Sequence, residues 1–210
     1  GMLNGSLVKT RALYRGIMED IYSTYTTAAT GTAFPFTDVA ESRWSYPYIK
    51  ELYDAGVVSG TSATTFSPAA NVTRAQFVTM LAGLAGADVS NCPATPFRDV
   101  PEGAWYAPYV NWALANGIVS GTSAVTFSPD ASITRQDMAV MLYSYTQRFQ
   151  VHLQQQPVKS FTDAGSIAAY AQSAVQTLQR AGVISGMPDG SFQPYGTATR
   201  EQACTMLCML

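Results

Sequence analysis

Apolar residues along this chain recur at the spacing of an amphipathic helix, and the same arrangement appears three times. In the first copy, Ile49, Leu52 and Tyr53 lie at i, i+3 and i+4, and Gly56 follows at i+7. The second copy repeats this spacing up to Gly117. A glycine at that point suits the left-handed residue that commonly follows a helix. The pattern therefore predicts a first helix in each copy that ends at the glycine.

A second helical pattern follows each glycine after a loop. In the first copy it starts at Thr73, where Thr73-x-x-Gln76 fits a capping box. The same motif returns at Thr199, and Asp137 replaces the glutamine in the middle copy. The segments between the helices are too short for a sheet, so at most a few bridge pairs are expected. The chain is therefore predicted to be mainly α.

Short motifs repeat in the same order in all three copies, which is the sequence signature of a repeat architecture. Each copy opens with a Phe-x-Asp motif, continues through Gly-Val/Ile-x-Ser-Gly and Phe-x-Pro, and ends at Thr-Arg. The glycine that ends the first helix precedes the arginine by 18 residues in every copy. The opening motifs are Phe36-Thr37-Asp38-Val39, Phe97-Arg98-Asp99-Val100 and Phe161-Thr162-Asp163-Ala164.

Composition and charge exclude several classes of function for this chain of 210 residues. With 47% hydrophobic and 12% charged residues, the composition is that of a packed globular protein. The net charge of −2 provides no global positive field for nucleic acid or an anionic bilayer. No apolar run is long enough to insert into a membrane, and the N-terminus shows no apolar segment of a secretory signal.

Side chains that carry catalysis or hold metal ions do not cluster in the sequence. Cys92, Cys204 and Cys208 cannot form a disulfide framework, and the last two, in an apolar run, are expected to be buried thiols. The single histidine, His152, lies in a glutamine-rich stretch with no second ligand beside it. Paired carboxylates or a nucleophile with its base do not stand out. We therefore expect no catalysis, no cofactor and no metal site.

The arginine at the first position of each second helix is not explained by helix formation. A cation there faces the positive end of the helix dipole and costs roughly a few tenths of a kcal/mol. One explanation is an ion pair with the aspartate of a repeat. The other is that a guanidinium beside free backbone N–H groups forms a compact anion site, suited to carboxylate or phosphate. Both hold if the aspartate positions the arginine. The arginines are Arg74, Arg135 and Arg200, and the aspartates are Asp38, Asp99 and Asp163.

Aromatic residues precede the first helix of each copy. Trp44 and Trp105 hold this place in the first two copies, and Tyr170 corresponds to them in the third. A ring there either fills the core or, when partly exposed, offers a face on which a sugar stacks. The core position is the commoner one, so we rank these rings below the arginines as candidate ligand contacts.

In their order and spacing, these motifs resemble the S-layer homology repeat. The signature is Phe-x-Asp-Val, a Trp six residues after the Asp, Gly-Val/Ile-x-Ser-Gly, Phe-x-Pro and Thr-Arg, and it covers residues 36–210 in three copies. The resemblance implies three helix-loop-helix repeats in a pseudo-threefold, three-pronged bundle with a central three-helix core. The family's glutamate two residues after the arginine is replaced here by Gln76, Asp137 and Gln202.

The resemblance also implies a function. In that family, grooves between the prongs bind an anionic secondary cell-wall polysaccharide, often carrying a pyruvate ketal, without covalent attachment. We therefore expect a non-catalytic anchoring module at the cell wall or cell surface of a Gram-positive bacterium, with cargo domains in a longer native chain. The alternative is a protein-interaction or self-assembly scaffold whose arginines form internal ion pairs. Carried over by motif, the candidate ligand contacts are Arg74, Arg135, Arg200, Asp38, Asp99, Asp163, Trp44 and Trp105.

The repeats also set the expected boundaries. We place them at 34–87, 95–149 and 159–210, forming one domain together, with 1–33 as a helical extension and linker. In that extension, Lys9-Thr10-Arg11-Ala12 echoes the start of a second helix. In a closed threefold arrangement one prong otherwise lacks a partner helix. We therefore expect the extension to pack against the first repeat or the terminal helix.

Overall fold

Two α-helices in each repeat carry the fold in the computed structural model, which describes residues 33–210. The first helices of the repeats are α1 (Tyr46–Asp54), α3 (Ala107–Ala115) and α5 (Gln172–Arg180), the last preceded by two short 3-10 helices. The second helices are α2 (Arg74–Leu84), α4 (Arg135–Arg148) and α6 (Arg200–Cys208). In this part of the chain β structure is limited to three isolated bridges, so the mainly α prediction is confirmed.

The capping signals predicted both kinds of helix end. The threonine before each second helix is an N-cap whose hydroxyl accepts the N–H of the residue three positions later. Gln76 and Gln202 complete the capping box by accepting the threonine N–H, whereas α4 has the threonine bond alone. Gly56, Gly117 and Gly182 follow the first helices with φ of +70°, +68° and +72°.

Each prong of the bundle is built from two different repeats within the compact unit Phe36–Leu210. The second helix of one repeat packs against the first helix of the next, α2 against α3 and α4 against α5, and α6 returns to α1. The prong that was expected to lack a partner helix therefore has one, because the last repeat closes onto the first. The N-terminal extension whose packing we predicted lies outside the described residues.

The closure between the last and first repeats is reinforced by a buried polar cluster. Arg43 donates from Nε to Glu201 Oε2 at 2.8 Å and from Nη2 to Oε1 at 2.9 Å. Ser45 Oγ donates to the same carboxylate at 2.6 Å. Burial alone would raise the pKa of Glu201, but these donors outweigh it and hold the pKa below its usual value. The carboxylate thus joins parts of the chain that lie more than 150 residues apart.

The three repeats meet at a ring of backbone hydrogen bonds. Val72 N–H donates to Ala198 O at 3.0 Å, Ala198 N–H to Ile133 O at 3.4 Å, and Ile133 N–H to Val72 O at 3.0 Å. All three side chains are fully buried. Because each residue stands two positions before an arginine of the Thr-Arg motif, the ring gathers the N-terminal ends of α2, α4 and α6.

The loop inside each repeat is held by the opening motif. In the first repeat, the Asp38 carboxylate accepts the N–H of Phe66 at 2.8 Å and of Ser67 at 2.7 Å. Ser67 has φ of 58°, a left-handed conformation that is uncommon without a glycine. Gly60 allows the loop to close, because a Cβ there would lie 2.5 Å from the Phe36 ring. Asp99 and Asp163 make the same two bonds in their own repeats.

Candidate functional site

Each arginine of the Thr-Arg motif reaches into the loop of a different repeat. Arg200, at the start of α6, donates from Nε to Phe66 O at 2.9 Å and from Nη2 to Ser59 O at 2.8 Å. Its guanidinium carbon lies 4.4 Å from the centre of the Phe66 ring, within the range of a cation–π contact. The last repeat is thereby fastened to the loop of the first.

The other two arginines repeat this geometry in cyclic order. Arg74 donates to Phe127 O at 2.8 Å and Ser120 O at 3.4 Å, which links the first repeat to the second. Arg135 donates to Phe192 O at 2.7 Å and Ser185 O at 3.3 Å, which links the second to the third. All three arginines are at most 5% exposed. They are therefore structural links between repeats, whatever else they do.

This geometry corrects the expectation of free backbone N–H groups beside the arginines. The N–H groups of the arginines donate to carbonyls of the next repeat, at 2.8–2.9 Å. The acceptors are Ala131, Gly196 and Ala70. These N–H donors at the start of the second helices thus bind neighbouring repeats, and only the guanidinium groups are available to bind a ligand.

The expected ion pairs between the arginines and the repeat aspartates are also not formed in the described part of the chain. Each aspartate instead binds the peptide N–H of the phenylalanine whose carbonyl accepts the arginine, as Asp38 and Arg200 do at Phe66. The aspartate therefore positions the arginine through one shared loop residue. Its carboxylate already accepts two loop N–H groups, so its first role is to hold the loop.

The three guanidinium groups differ in the partners of Nη1, although burial affects the pKa of all three in the same way. Burial lowers the pKa of the three guanidinium groups, and nearby carboxylates partly offset this effect. In Arg135 and Arg200 the hydrogen bonds are made by Nε and Nη2. Their Nη1 has no hydrogen-bond partner among the described residues. Nη1 of Arg74 differs, because it lies 3.5 Å from Asp137 Oδ2. Only Arg74 therefore forms the internal ion pair that the scaffold alternative requires of all three.

Two grooves of similar size lie over these arginines. The Arg200 groove, about 370 Å³, is lined by residues 57–61, by Gln76, Thr79 and Met80 of α2, and by Trp105. The Arg74 groove, also about 370 Å³, is lined by residues 118–122, by Asp137, Val140 and Met141 of α4, and by Tyr170. Each groove thus combines an arginine, a glycine-containing loop and an aromatic ring from three different repeats.

The aromatic residues before the first helices do not fill the core. Trp44 is 56% exposed and Trp105 is 59% exposed, so the core position that we favoured is wrong. Tyr170 is 63% exposed as well. Their placement leaves ring faces open to solvent, as carbohydrate stacking requires. The fold places Trp105 and Arg200, which are 95 residues apart in the sequence, in one groove.

Two features of the candidate site were not predicted from the sequence. Asp137 accepts a hydrogen bond from Tyr170 Oη at 2.7 Å, across the Arg74 groove. The only visible signal was the replacement of glutamine by aspartate in the middle copy. The loop carbonyls that hold the arginines gave no signal, because any residue supplies a carbonyl.

Metal binding, membrane insertion and thiol chemistry are three further properties that the described residues could provide. They contain no group of three or more His, Cys, Asp or Glu side chains able to hold a metal ion. They also include no helix with the length and apolar character to cross a membrane. Burial raises the pKa of Cys204 and Cys208 to about 12, so neither thiol is activated.

Comparison with known proteins identifies the family of the three repeats. The model of the S-layer homology domain family matches residues 35–78, 96–139 and 160–204. The chain belongs to the S-layer homology family. This membership, together with related S-layer proteins of Gram-positive bacteria, supports a location at the cell surface or cell wall.

Named relatives show where such repeats occur. The chain is 38% identical over 208 residues to an endoglucanase of Bacillus sp. (strain KSM-635), covering 98% of the chain and 22% of that protein. It is 29% identical to a cellulosome-anchoring protein of Acetivibrio thermocellus, covering 73% and 35%. An S-layer protein of Bacillus thuringiensis subsp. finitimus is 25% identical, covering 94% and 23%. The chain thus spans about a quarter or less of the first relatives it matches.

Proposed function

We propose that this chain is a non-catalytic anchoring module that holds a larger protein to an anionic polysaccharide of the cell wall. The observation that carries the proposal is the pairing of an exposed tryptophan with a buried arginine in one groove, as at Trp105 and Arg200. Family membership and the S-layer and anchoring proteins among the relatives support the anchoring role. The enzymes among the relatives contain a module of this kind as a small fraction of their length.

The Arg200 groove has the chemistry for a sugar that carries a carboxylate. Arg200 is the only charged residue among those that line it, and its Nη1 is unpartnered in the described structure. A carboxylate at Nη1 gains a charge-assisted hydrogen bond, such as a pyruvate ketal would accept. The Trp105 face is available for the apolar side of the sugar ring. The two contacts together favour an acidic glycan over a neutral one.

Repetition of the site on one rigid domain raises the strength of attachment. A wall polysaccharide is a repeating ligand, and sites on one scaffold encounter it at a high effective concentration. Weak binding at each groove is therefore sufficient for stable anchoring. This matches a module that makes no covalent bond to the wall.

Sedimentation with isolated Gram-positive cell-wall sacculi tests the proposal. The chain should sediment with intact sacculi and remain in solution when the secondary polymer has been chemically removed. The double variant Trp44→Ala/Trp105→Ala should lose most of the sedimentation, because both rings are exposed and their removal leaves the core intact. Val158→Ala, at another exposed apolar residue, is the matched control and should sediment like the unaltered chain. Sedimentation that survives removal of the polymer, or loss of both tryptophans, contradicts the proposal.

A protein-interaction scaffold is the second candidate, favoured by the buried, inter-repeat arginines. In that case the grooves are by-products of the architecture and the chain binds copies of itself or other surface proteins. Failure to sediment with any sacculi, combined with concentration-dependent self-association in analytical ultracentrifugation, would favour the scaffold over the glycan module.

A further inference from the structure

The two described grooves differ in one side chain that faces the arginine. At the third position of α2, the Arg200 groove has Gln76, an uncharged residue engaged in its capping box. At the same position of α4, the Arg74 groove has Asp137. The lining of the first groove therefore carries one positive charge, whereas the lining of the second contains one charge of each sign.

Asp137 occupies the place that a ligand carboxylate would take on Arg74. Its Oδ2 lies 3.5 Å from Nη1 of Arg74, and the same nitrogen of Arg135 and Arg200 has no hydrogen-bond partner within residues 33–210. Its Oδ1 accepts the hydrogen bond from Tyr170 at 2.7 Å. In α4 the reciprocal bond of the capping box is not formed, and the Asp137 carboxylate contacts Arg74 and Tyr170 instead.

The aromatic residue of the Arg74 groove, Tyr170, is also held by a hydrogen bond. The Tyr170 hydroxyl is bound to α4 by Asp137, while Trp105 holds the corresponding place in the other groove. Burial, and then the hydrogen bond to Asp137, raise the pKa of Tyr170 to about 12, so the phenol remains a donor at ordinary pH. The bridge from Tyr170 to Asp137 therefore spans the groove in front of Arg74.

Resting on the proposed function, we propose that the grooves are not equivalent and that Asp137 determines their specificity: Arg135 and Arg200 accept the carboxylate of the glycan, whereas the Arg74 groove rejects it. A second carboxylate brought to Arg74 would lie beside that of Asp137, and two like charges in a partly buried site repel each other strongly. The side chain of Asp137 is only 28% exposed, so solvent screens this repulsion incompletely.

Two reciprocal substitutions test this assignment. Asp137→Gln gives α4 the residue that α2 and α6 already have at this position, so folding is expected to be preserved. Gln76→Asp introduces the carboxylate into the Arg200 groove. The probe is a methyl glucoside with a 4,6-pyruvate ketal, and the control ligand is its uncharged methyl ester. Thermal unfolding of each variant establishes that it is folded before the titration.

The readout is the Nε–Hε signal of each arginine in a ¹⁵N NMR titration, because it reports on the three sites separately. In the unaltered chain, the signals of Arg135 and Arg200 should shift with the probe, and Arg74 should bind it at least about tenfold more weakly. Asp137→Gln should bring Arg74 to the affinity of the other two. Gln76→Asp should weaken binding at Arg200 to a similar extent. The methyl ester should shift none of the three signals comparably.

The outcomes separate this proposal from the anchoring function. An equal response of all three arginines in the unaltered chain overturns the specificity role of Asp137, and so does a response of none. An unchanged Arg74 signal in Asp137→Gln overturns it too. The anchoring function itself fails if the unaltered chain does not sediment with sacculi. The specificity role of Asp137 can therefore fail while the anchoring function stands, and the two failures are distinguished by different measurements.

Discussion

Replacing Arg135 with alanine should unfold the chain at a distinctly lower temperature, because this arginine links two repeats. The change removes the bond from Nε to Phe192 O at 2.7 Å, the longer bond to Ser185 O at 3.3 Å, and the contact with the Phe192 ring at 5.1 Å. A hydrogen bond from a charged donor contributes about 1.5–3 kcal/mol, and the cation–π contact about 1 kcal/mol.

Part of this loss of free energy is offset, because the alanine variant no longer pays the desolvation cost of a buried guanidinium group. We therefore expect the free energy of unfolding to fall by about 2–4 kcal/mol in total. For a domain of this size, each kcal/mol corresponds to roughly 2–4 °C in Tm, so the melting temperature should fall by about 5–15 °C. Arg135→Lys should show an intermediate loss, because one ammonium cannot hold both carbonyls and lie flat on the ring.

Thermal unfolding followed by far-UV circular dichroism, together with urea denaturation, measures this loss. Arg180→Ala is the matched control, because Arg180 is an exposed arginine at the end of α5. Its free energy of unfolding should change by less than about 0.5 kcal/mol. If Arg135→Ala were as stable as this control, the arginines would not hold the repeats together. Loss of ligand binding in an arginine variant is accordingly interpretable only beside its stability.

Three further predictions concern stability. Gly121→Ala should lower the free energy of unfolding, measured by urea denaturation, by several kcal/mol, because the new Cβ would lie 2.6 Å from the Phe97 ring. A free energy of unfolding within about 0.5 kcal/mol of the parent would contradict this close packing. Asp99→Ala removes the acceptor of two loop N–H groups and should cost about 2–4 kcal/mol, whereas a neutral result would show that the loop does not need it. For Glu201, the lowered pKa means that its contribution is present above the usual carboxyl range and is lost as the pH falls through the folded-state pKa. The free energies of unfolding of the parent and of Glu201→Gln should therefore differ most near neutral pH and converge as the pH falls below the usual carboxyl range, and a constant difference would exclude this linkage.

Local signals in the sequence were enough to predict the helices and their ends. The capping motif at Thr73 and the glycine at position 56 act within a few residues, and both lie where they were expected. The pairing of helices between repeats could not be derived in the same way. The return of α6 to α1 depends on contacts such as Arg43 with Glu201, which no local pattern reveals.

The expected surroundings of the arginines were wrong in detail. The arginines do reach the grooves, but their N–H groups and two of their guanidinium nitrogens are used by carbonyls of the next repeat. Backbone carbonyls have no sequence signature, so this use of Arg200 could not be foreseen. Exposure of Trp105 was missed for a related reason, because the ring lies on a surface formed by three repeats together.

The sharpest test of carboxylate binding at Arg200 is a crystal structure of the chain with an oligosaccharide that carries a pyruvate ketal. We predict a ketal carboxylate within hydrogen-bond distance of Nη1 of Arg200, with the sugar ring against Trp105. We also predict that no carboxylate of the oligosaccharide contacts Arg74 while Asp137 is in place. An oligosaccharide bound away from the arginine grooves, or one whose carboxylate avoids Arg200, would contradict the account.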